Sequence, residues 1–165
     1  MNNEMFLRPA NVSDQPAIIQ LIDSVYQEYG DRVWLEGAES DLLDIQQNYF
    51  DKGGAFVVLD DAGCVKGCHA ALPVDRGSKV CTFRRLYLHA SLRGSGWGER
   101  LMQWAIDWAV ERGFQRIEFW SDTRFQRAHQ FFTRFGFVKD GRVREMHDGA
   151  VPYSEYFFQK VLDQV

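Results

Sequence analysis

Residues 93–98 read Arg-Gly-Ser-Gly-Trp-Gly, so an arginine is followed by glycine at every second position. An apolar segment precedes this hexapeptide, and a segment with helical periodicity follows it. Each glycine at a helix start lowers helix stability by roughly 1 kcal/mol relative to alanine, so three of them indicate a need for bare backbone. Free N–H groups at a helix N-terminus, with Arg93 beside them, are suited to binding a phosphate or pyrophosphate.

Two familiar glycine-rich nucleotide motifs do not fit this hexapeptide. A Rossmann fingerprint has Gly-x-Gly-x-x-Gly in a strand-helix-strand unit, whereas the spacing here is Gly-x-Gly-x-Gly. A P-loop requires Gly-Lys followed by serine or threonine, and no lysine follows the glycines. Close packing of strand on helix is the alternative explanation of the glycines. Because an arginine beside three alternating glycines exceeds what packing requires, we favour an anion-binding turn.

The elements around this turn follow from the hydrophobic pattern, which predicts the order β-α-α-β-β-β-α-β-α-β-β in one domain spanning residues 1–165. Strands are predicted at residues 5–10, 55–60, 64–74, 79–90, 114–120, 137–145 and 151–162. Helices are predicted after a cap at Ser13, at 41–50, at 98–113, and after a cap at Ser121 or Asp122. A strand-helix-strand unit implies a parallel pair with a right-handed crossover. The expected class is therefore α/β (α+β), with a mixed, mostly antiparallel central sheet and helices on both faces.

Composition limits the classes of partner. The formal net charge of −4 argues against binding to nucleic acid. No apolar run approaches the ~18 residues of a membrane span, and residues 1–15 lack the features of a signal peptide. Three cysteines suit a reducing cytoplasm better than a disulfide framework. Cys64 and Cys68 would lie on one face of a strand about 13 Å apart, so we expect packing side chains and no metal. We expect a cytoplasmic protein, with a homodimer left open.

The turn and a second segment carry a family resemblance. The segment LRGSGWGERLM resembles the acyl-CoA-binding turn of the GNAT superfamily of N-acyltransferases, written [Q/R]-x-x-G-x-[G/A], which Arg93, Gly96 and Gly98 match. The longer segment RRLYLHASLRGSGWG resembles the whole strand and turn of that family. Downstream, AHQFFTRFGF resembles its next motif, commonly A-x-x-F-Y-x-x-x-G-F. The predicted order of elements also matches, so the resemblance covers nearly the whole chain.

The resemblance implies a binding mode for acetyl-CoA as cosubstrate. Its pyrophosphate would lie on the turn, and its pantetheine along the strand before it, in a slot between two parallel strands that splay apart. The cofactor-binding residues implied are Leu86, Tyr87, Leu88, Arg93, Gly94, Ser95, Gly96, Trp97, Gly98, Arg127 and Phe132. Arg124 or Arg127 would meet the adenosine 3′-phosphate. The acceptor amine would attack the thioester directly, without a covalent enzyme intermediate.

The catalytic groups usual in the family are replaced in this chain. The oxyanion would be stabilised by a backbone N–H, here that of Leu88. The tyrosine that usually protonates the thiolate is Phe132, and Thr82 stands where a glutamate base is usual. Water, Ser121, Tyr87 and His129 remain as acids. The candidate bases are His89, Asp122, Glu118 and Glu155.

The acceptor is expected to be a small molecule with a primary amine. The acidic segment between the first two helices would either attract a cationic acceptor or form a solvated loop; its members are Glu28, Asp31, Glu36, Glu39, Asp41 and Asp44. The alternative function is an acyl-CoA-binding sensor or regulatory module without turnover, which the replacements at Thr82 and Phe132 favour. A further alternative is a fold relative that uses the turn for another nucleotide.

Overall fold

A seven-stranded sheet with the order β1-β2-β3-β4-β5-β7-β6 organises the chain. The computed structural model describes residues 4–163, and residues 1–3 of the N-terminal segment considered above lie outside that range. The strands are β1 Phe6–Pro9, β2 Ala55–Asp61, β3 Cys64–Pro73, β4 Val80–Leu88, β5 Arg116–Asp122, β6 Val138–Met146 and β7 Tyr153–Val161. The helices are α1 Gln15–Gln27, α2 Ile45–Asn48, α3 Trp97–Glu111 and α4 Gln126–Arg134.

The parallel pair β4/β5 is joined at one end and open at the other. Within residues 4–163 the two strands pair only at Val80–Arg116 and Cys81–Ile117, whereas every other neighbouring pair in the sheet is antiparallel. Beyond these two rungs the strands diverge. The mixed, mostly antiparallel sheet with one splayed parallel pair is therefore confirmed.

Strand β4 contains a bulge at Arg85. Cys68 faces Tyr87 and Ala70 faces Arg84, so β4 has one more residue than β3 over this interval. Arg85 adopts a left-handed φ of 61°, which is unusual for a residue with a Cβ. Its guanidinium donates to the two oxygens of Asp41 at 2.6 and 3.1 Å and to the Ala38 carbonyl at 2.8 Å. These contacts hold the bulge in place.

The bulge reverses the alternation of side chains along β4. Phe83 belongs to the core between the sheet and helices α3 and α4. Tyr87, four residues later, packs in the other core, between the sheet and helices α1 and α2. In a regular strand both would lie on one face. The bulge therefore turns the Tyr87 ring away from α4.

Four local predictions were wrong. Asn11 rather than Ser13 is the cap before α1, because its side chain accepts from the Ser13 N–H at the start of a 3₁₀ turn, Val12–Asp14. The predicted helix 41–50 is divided into 3₁₀ turns and the short α2. Neither Ser121 nor Asp122 caps α4, because both belong to β5. Cys64 is exposed while Cys68 is buried, since the register shift opposite Leu59/Asp60 puts an extra residue between them.

Candidate active site

A cavity of about 310 Å³ lies where β4 and β5 diverge. Its floor and walls come from both strands, from the loop after α1, from α4 and from β6 and β7. The lining includes Tyr26, Asp31, Glu39, Thr82, Leu86, Tyr87, Ser121, Asp122, Arg124, Phe132 and Glu155. The splayed strands thus leave a slot that is lined from both faces of the sheet, by Tyr26 on the α1 side and by Phe132 on the α4 side.

The glycine turn lies between β4 and α3, and its glycines differ in role. Gly94 and Gly96 have φ values of 77° and 91°, and a Cβ on either would meet open space. Both are therefore glycine for backbone conformation rather than for lack of room. Gly98 has no positive φ, and a Cβ there would lie 3.9 Å from the Phe131 ring. A Cβ would fit there in ordinary van der Waals contact, so neither backbone conformation nor space requires glycine at position 98.

Backbone N–H groups of this turn are free to bind an anion. Over residues 4–163, the N–H groups of Gly94, Gly96, Gly98 and Glu99 have no hydrogen-bond acceptor. Helix starts normally leave such donors unsatisfied, and they attract phosphate. The turn predicted from three glycines is thus present, with its donors available.

Arg93 is not free in this structure. Its guanidinium forms a two-point ion pair with Glu28 at the end of α1, one contact being Nη1 to Oε1 at 2.7 Å. The Arg93 hydrogen bonds lower the pKa of Glu28, so the carboxylate stays ionised. Arg127, an exposed residue in the first turn of α4, adds a second positive charge near the same carboxylate. The Glu28 carboxylate therefore lies beside the turn, close to the positive charges of both Arg93 and Arg127.

Strand β4 directs its backbone donors alternately to β3 and to the slot. The His89 N–H donates to the Lys66 carbonyl of β3 at 2.8 Å. Because successive N–H groups of a strand point to opposite sides, those of Leu86 and Leu88 point toward β5. These positions suit an extended pantetheine and an oxyanion. The Tyr87 side chain, in contrast, lies on the α1 side, with its hydroxyl 3.0 Å from that of Tyr26.

Phe132 lines the slot as an apolar side chain. It is 6% exposed, and its ring centroid lies 4.9 Å from Phe119 and 5.3 Å from Phe158. It offers no proton donor at the position where the family motif has tyrosine. Thr82 lines the same cavity and carries no carboxylate. Acid-base chemistry in this slot must therefore come from other side chains or from water.

The predicted bases Asp122 and Glu155 come together in the cavity, but both are ion-paired. They face each other across β5 and β7. Asp122 accepts from Arg124 at 2.6 Å, and Arg124 also binds Asp31 at 2.8 Å. Glu155 accepts from Arg144 Nε at 2.8 Å. Both carboxylates are therefore engaged in ion pairs with arginine side chains.

The other two predicted bases lie away from the cavity lining. His89 is the cap of the 3₁₀ turn Ala90–Leu92, and its Nδ1 lies 2.7 Å from the Ser91 hydroxyl. Glu118 pairs with Arg116, 3.4 Å apart. His89 thus serves the local structure of the loop that leads into the glycine turn.

A buried polar network on the α1 side was missed by the sequence analysis as a candidate site. Glu39 is 4% exposed, accepts from the Tyr26 hydroxyl at 3.0 Å and from the Trp34 N–H at 2.7 Å. Burial raises the pKa of Glu39 despite these donors. Asp41 beside it binds Arg85 and the Tyr49 hydroxyl. The acidic segment was predicted either to attract a cationic acceptor or to form a solvated loop, and no sequence pattern distinguishes its buried members from its exposed ones.

A second pair of polar groups lies on the α4 side. The Ser121 hydroxyl, at the end of β5, is 3.1 Å from Nε2 of His129 on α4. Both residues were named separately as acid candidates, but nothing in the sequence indicates that they touch. The contact between Ser121 and His129 follows from how α4 packs on β5, which the sequence does not show.

Comparison with known proteins places the chain in a family. Residues 19–137 match the model of the acetyltransferase (GNAT) family. The chain belongs to the GNAT acetyltransferase family. An uncharacterised N-acetyltransferase, YjgM of Escherichia coli K12, is 28% identical over 135 residues, which cover 79% of this chain and 80% of YjgM. Rat N-acetyltransferase family 8 member 2 is 29% identical over 106 residues, 62% of this chain and 47% of that protein.

Solved structures agree with this GNAT fold. A GNAT-family acetyltransferase from Staphylococcus aureus Mu50 superposes with a TM-score of 0.79 at 20% identity, covering 97% of this chain and all (100%) of that chain. Salmonella typhimurium yncA, determined with its cofactor acetyl-CoA, superposes with a TM-score of 0.75 at 18% identity, covering 99% and 96%. The solved structures thus support the fold, and the match of residues 19–137 to the family model shows the family.

Residues 4–163 contain neither a metal-binding cluster nor a membrane-spanning helix. No cluster of three or more histidine, cysteine, aspartate or glutamate side chains has an arrangement that could hold a metal ion. None of the helices in this range combines the length and the apolar character needed to cross a membrane.

Proposed function

We propose that this GNAT protein binds acetyl-CoA in the β4/β5 slot and transfers the acetyl group to the primary amine of a small acceptor. The observation that carries the proposal is the splayed parallel pair, whose open end adjoins a turn with free N–H groups. The pyrophosphate would lie on the turn 93–98 between Arg93 and Arg127. The pantetheine would lie along Leu86–Leu88, and the Leu88 N–H would stabilise the oxyanion.

The acceptor amine would reach the thioester from the α1 side of the cavity. The lining there combines the buried Glu39, the Tyr26 hydroxyl and the ion-paired carboxylates of Asp31 and Asp122. Four members of the acidic segment thus bind arginines of the slot rather than solvent alone: Glu28, Asp31, Glu39 and Asp41. This wall is polar and compact, which favours a small acceptor over a protein surface.

The binding step is tested by calorimetry with acetyl-CoA. Gly96→Asp places a carboxylate beside the pyrophosphate, so we expect about a tenfold or greater loss of affinity, ~1.4 kcal/mol. Gly77→Asp is the matched control, because Gly77 also has a positive φ of 76° with open space around its Cβ, in the loop before β4. Equal affinity of the Gly96→Asp and Gly77→Asp variants would exclude the phosphate-binding turn.

A second function, acyl-CoA binding without turnover, is favoured by the apolar Phe132 and by Thr82. Release of the CoA thiol from acetyl-CoA, measured with L-amino acids, spermidine and phenethylamine in turn, separates the two functions. Amine-dependent release supports transfer. Tight acetyl-CoA binding without release above hydrolysis supports the sensor.

A further inference from the structure

Ser121, which lines the slot, and His129 behind it form a hydrogen-bonded pair, the Ser121–His129 dyad, beside Phe132. Ser121 follows Phe119 by two residues and therefore lies on the same face of β5. His129 precedes Phe132 by three residues and therefore lies on the same face of α4. Two contacts between β5 and α4 result. Phe119 meets Phe132 at 4.9 Å between ring centroids, and Ser121 meets His129 at 3.1 Å between Oγ and Nε2.

The surroundings of His129 favour a neutral imidazole. Its ring lies among aromatic rings, 5.0 Å from Phe158 and 5.6 Å from Tyr156 between centroids. Burial, and next the Lys139 ammonium on β6, lower the pKa of His129, while the carbonyl and carboxylate of Asp122 on β5 oppose them. A neutral imidazole can accept the Ser121 proton through Nε2 and later return it.

Other groups near the slot are engaged elsewhere. Asp122 and Glu155 lie on the opposite face of the sheet from Ser121, each bound to an arginine. The Tyr87 hydroxyl is on the α1 side. His69 is buried, with its Nδ1 3.1 Å from the Leu101 carbonyl. Among the candidate acids and bases, Ser121 is therefore the hydroxyl that lines the slot on the α4 side, with an imidazole behind it.

We propose that Ser121 is a catalytic residue that carries a proton between the substrates and His129, in place of the absent tyrosine and glutamate. The proposal rests on the transferase function above. His129 acts through Ser121 and stores the proton. One pair of side chains thereby supplies both the base for the amine and the acid for the thiolate.

The proposed steps balance in atoms and electrons. The amine lone pair forms the C–N bond at the thioester carbon, and the carbonyl π pair moves onto oxygen. The ammonium proton passes to Ser121 Oγ as the Ser121 proton passes to His129 Nε2. When the C=O bond re-forms, the C–S bond breaks and its electron pair leaves on sulfur. The proton then returns from Nε2 through Ser121 to the thiolate, so the protein ends unchanged.

The kinetic test compares Ser121→Ala and His129→Gln with Ser154→Ala, using acetyl-CoA and the amine most active in the thiol-release panel. Ser154 is the matched control, because its hydroxyl lies 3.1 Å from another side-chain hydroxyl, that of Thr123, outside the cavity lining. We expect kcat to fall about 100-fold or more in the two dyad variants, the usual scale for acid-base catalysis. Acetyl-CoA affinity, measured by calorimetry, should stay within about twofold of the parent value.

The pH profile separates a proton-transfer role from a structural one. The parent enzyme should lose kcat as the pH falls through the pKa of His129, because the imidazole must be neutral to accept a proton. The His129→Gln variant should lack this acidic limb. Retention of the limb in that variant, or parent-like kcat in Ser121→Ala, would overturn the proposal.

An NMR test needs no turnover. CoA and desulfo-CoA, which differ at the sulfur, are added separately while the His129 imidazole resonances are followed. The dyad predicts a larger shift with CoA than with desulfo-CoA, and loss of that difference in Ser121→Ala. Equal shifts in the parent protein overturn the dyad but leave acetyl-CoA binding intact. Failure to bind either compound overturns the proposed function itself, and the dyad with it.

Discussion

Glu28 is ion-paired with the Arg93 guanidinium, to which the pyrophosphate of acetyl-CoA is proposed to bind. Removing the negative charge of Glu28 should therefore strengthen acetyl-CoA binding. Glu28 and Arg93 have side chains that are 38% and 37% exposed. Exposed ion pairs of this kind are worth roughly 0.2–1 kcal/mol. If the pyrophosphate must displace the carboxylate, Glu28→Gln should tighten acetyl-CoA binding by about 1.4- to 5-fold. The gain should shrink at high salt, because screening weakens the pair in the free protein.

Calorimetry on four proteins tests this exchange: parent, Glu28→Gln, Arg93→Met and the double variant. Arg93→Met alone should weaken binding. In that background Glu28→Gln should bring less gain than in the parent, since the displaced ion pair no longer exists. Glu111→Gln, at the far end of α3, makes the same charge change away from the turn and serves as control. Weaker binding in Glu28→Gln, or the same gain with and without Arg93, would refute the competition.

Three other predictions concern the slot and its supports. Phe132→Tyr should leave acetyl-CoA affinity nearly unchanged, and a rise in kcat would show that thiolate protonation limits turnover. Asp41→Ala removes the two-point partner of the largely buried Arg85 and leaves it only the more distant Glu39, at 3.9 Å, so urea unfolding should show a loss of up to about 3–5 kcal/mol, against about 1 kcal/mol for Asp44→Ala, which removes a helix cap. Burial lowers the pKa of His69 to about 4. An imidazole in the unfolded chain has a pKa near 6.5. The free energy of unfolding should therefore fall as the pH drops from 6.5 toward 4, by up to about 1.4 kcal/mol per pH unit. The His69→Gln variant should show a smaller dependence on pH in this range.

Much of the fold was predictable because its causes are local in the sequence. Period-two and period-3.6 patterns located all seven strands and helices α1, α3 and α4. Helix 41–50 was the exception. Asp44 has a non-helical backbone, with φ −154° and ψ 85°, which ends the 3₁₀ turn Ser40–Leu43 and caps the short α2, so no continuous helix forms. The cap at Asn11 also depends on a 3₁₀ turn that periodicity does not distinguish from the helix after it.

The candidate site likewise has features that a short segment of sequence predicts and features that depend on tertiary contacts. The backbone of the turn was predictable, because positive φ at Gly94 and Gly96 and free donors at a helix start are properties of a short segment. The direction of the Tyr87 ring was not, because the bulge at Arg85 is held by Asp41, 44 residues away in the chain. The engagement of Asp122 and Glu155 by arginines likewise depends on how β5, β6 and β7 are ordered.

The sequence by itself determined a GNAT strand-turn-helix with free backbone N–H groups at the glycine turn, since glycine spacing and hydrophobic period act over a few residues. It also determined what is missing, a tyrosine at Phe132 and a glutamate at Thr82. Only the tertiary structure decided which side chains could replace them. Ser121 and His129 meet because α4 packs on the face of β5 that carries the Ser121 side chain. Glu28 reaches Arg93 because α1 ends beside the turn. Such pairs depend on the relative placement of elements, which no local pattern encodes.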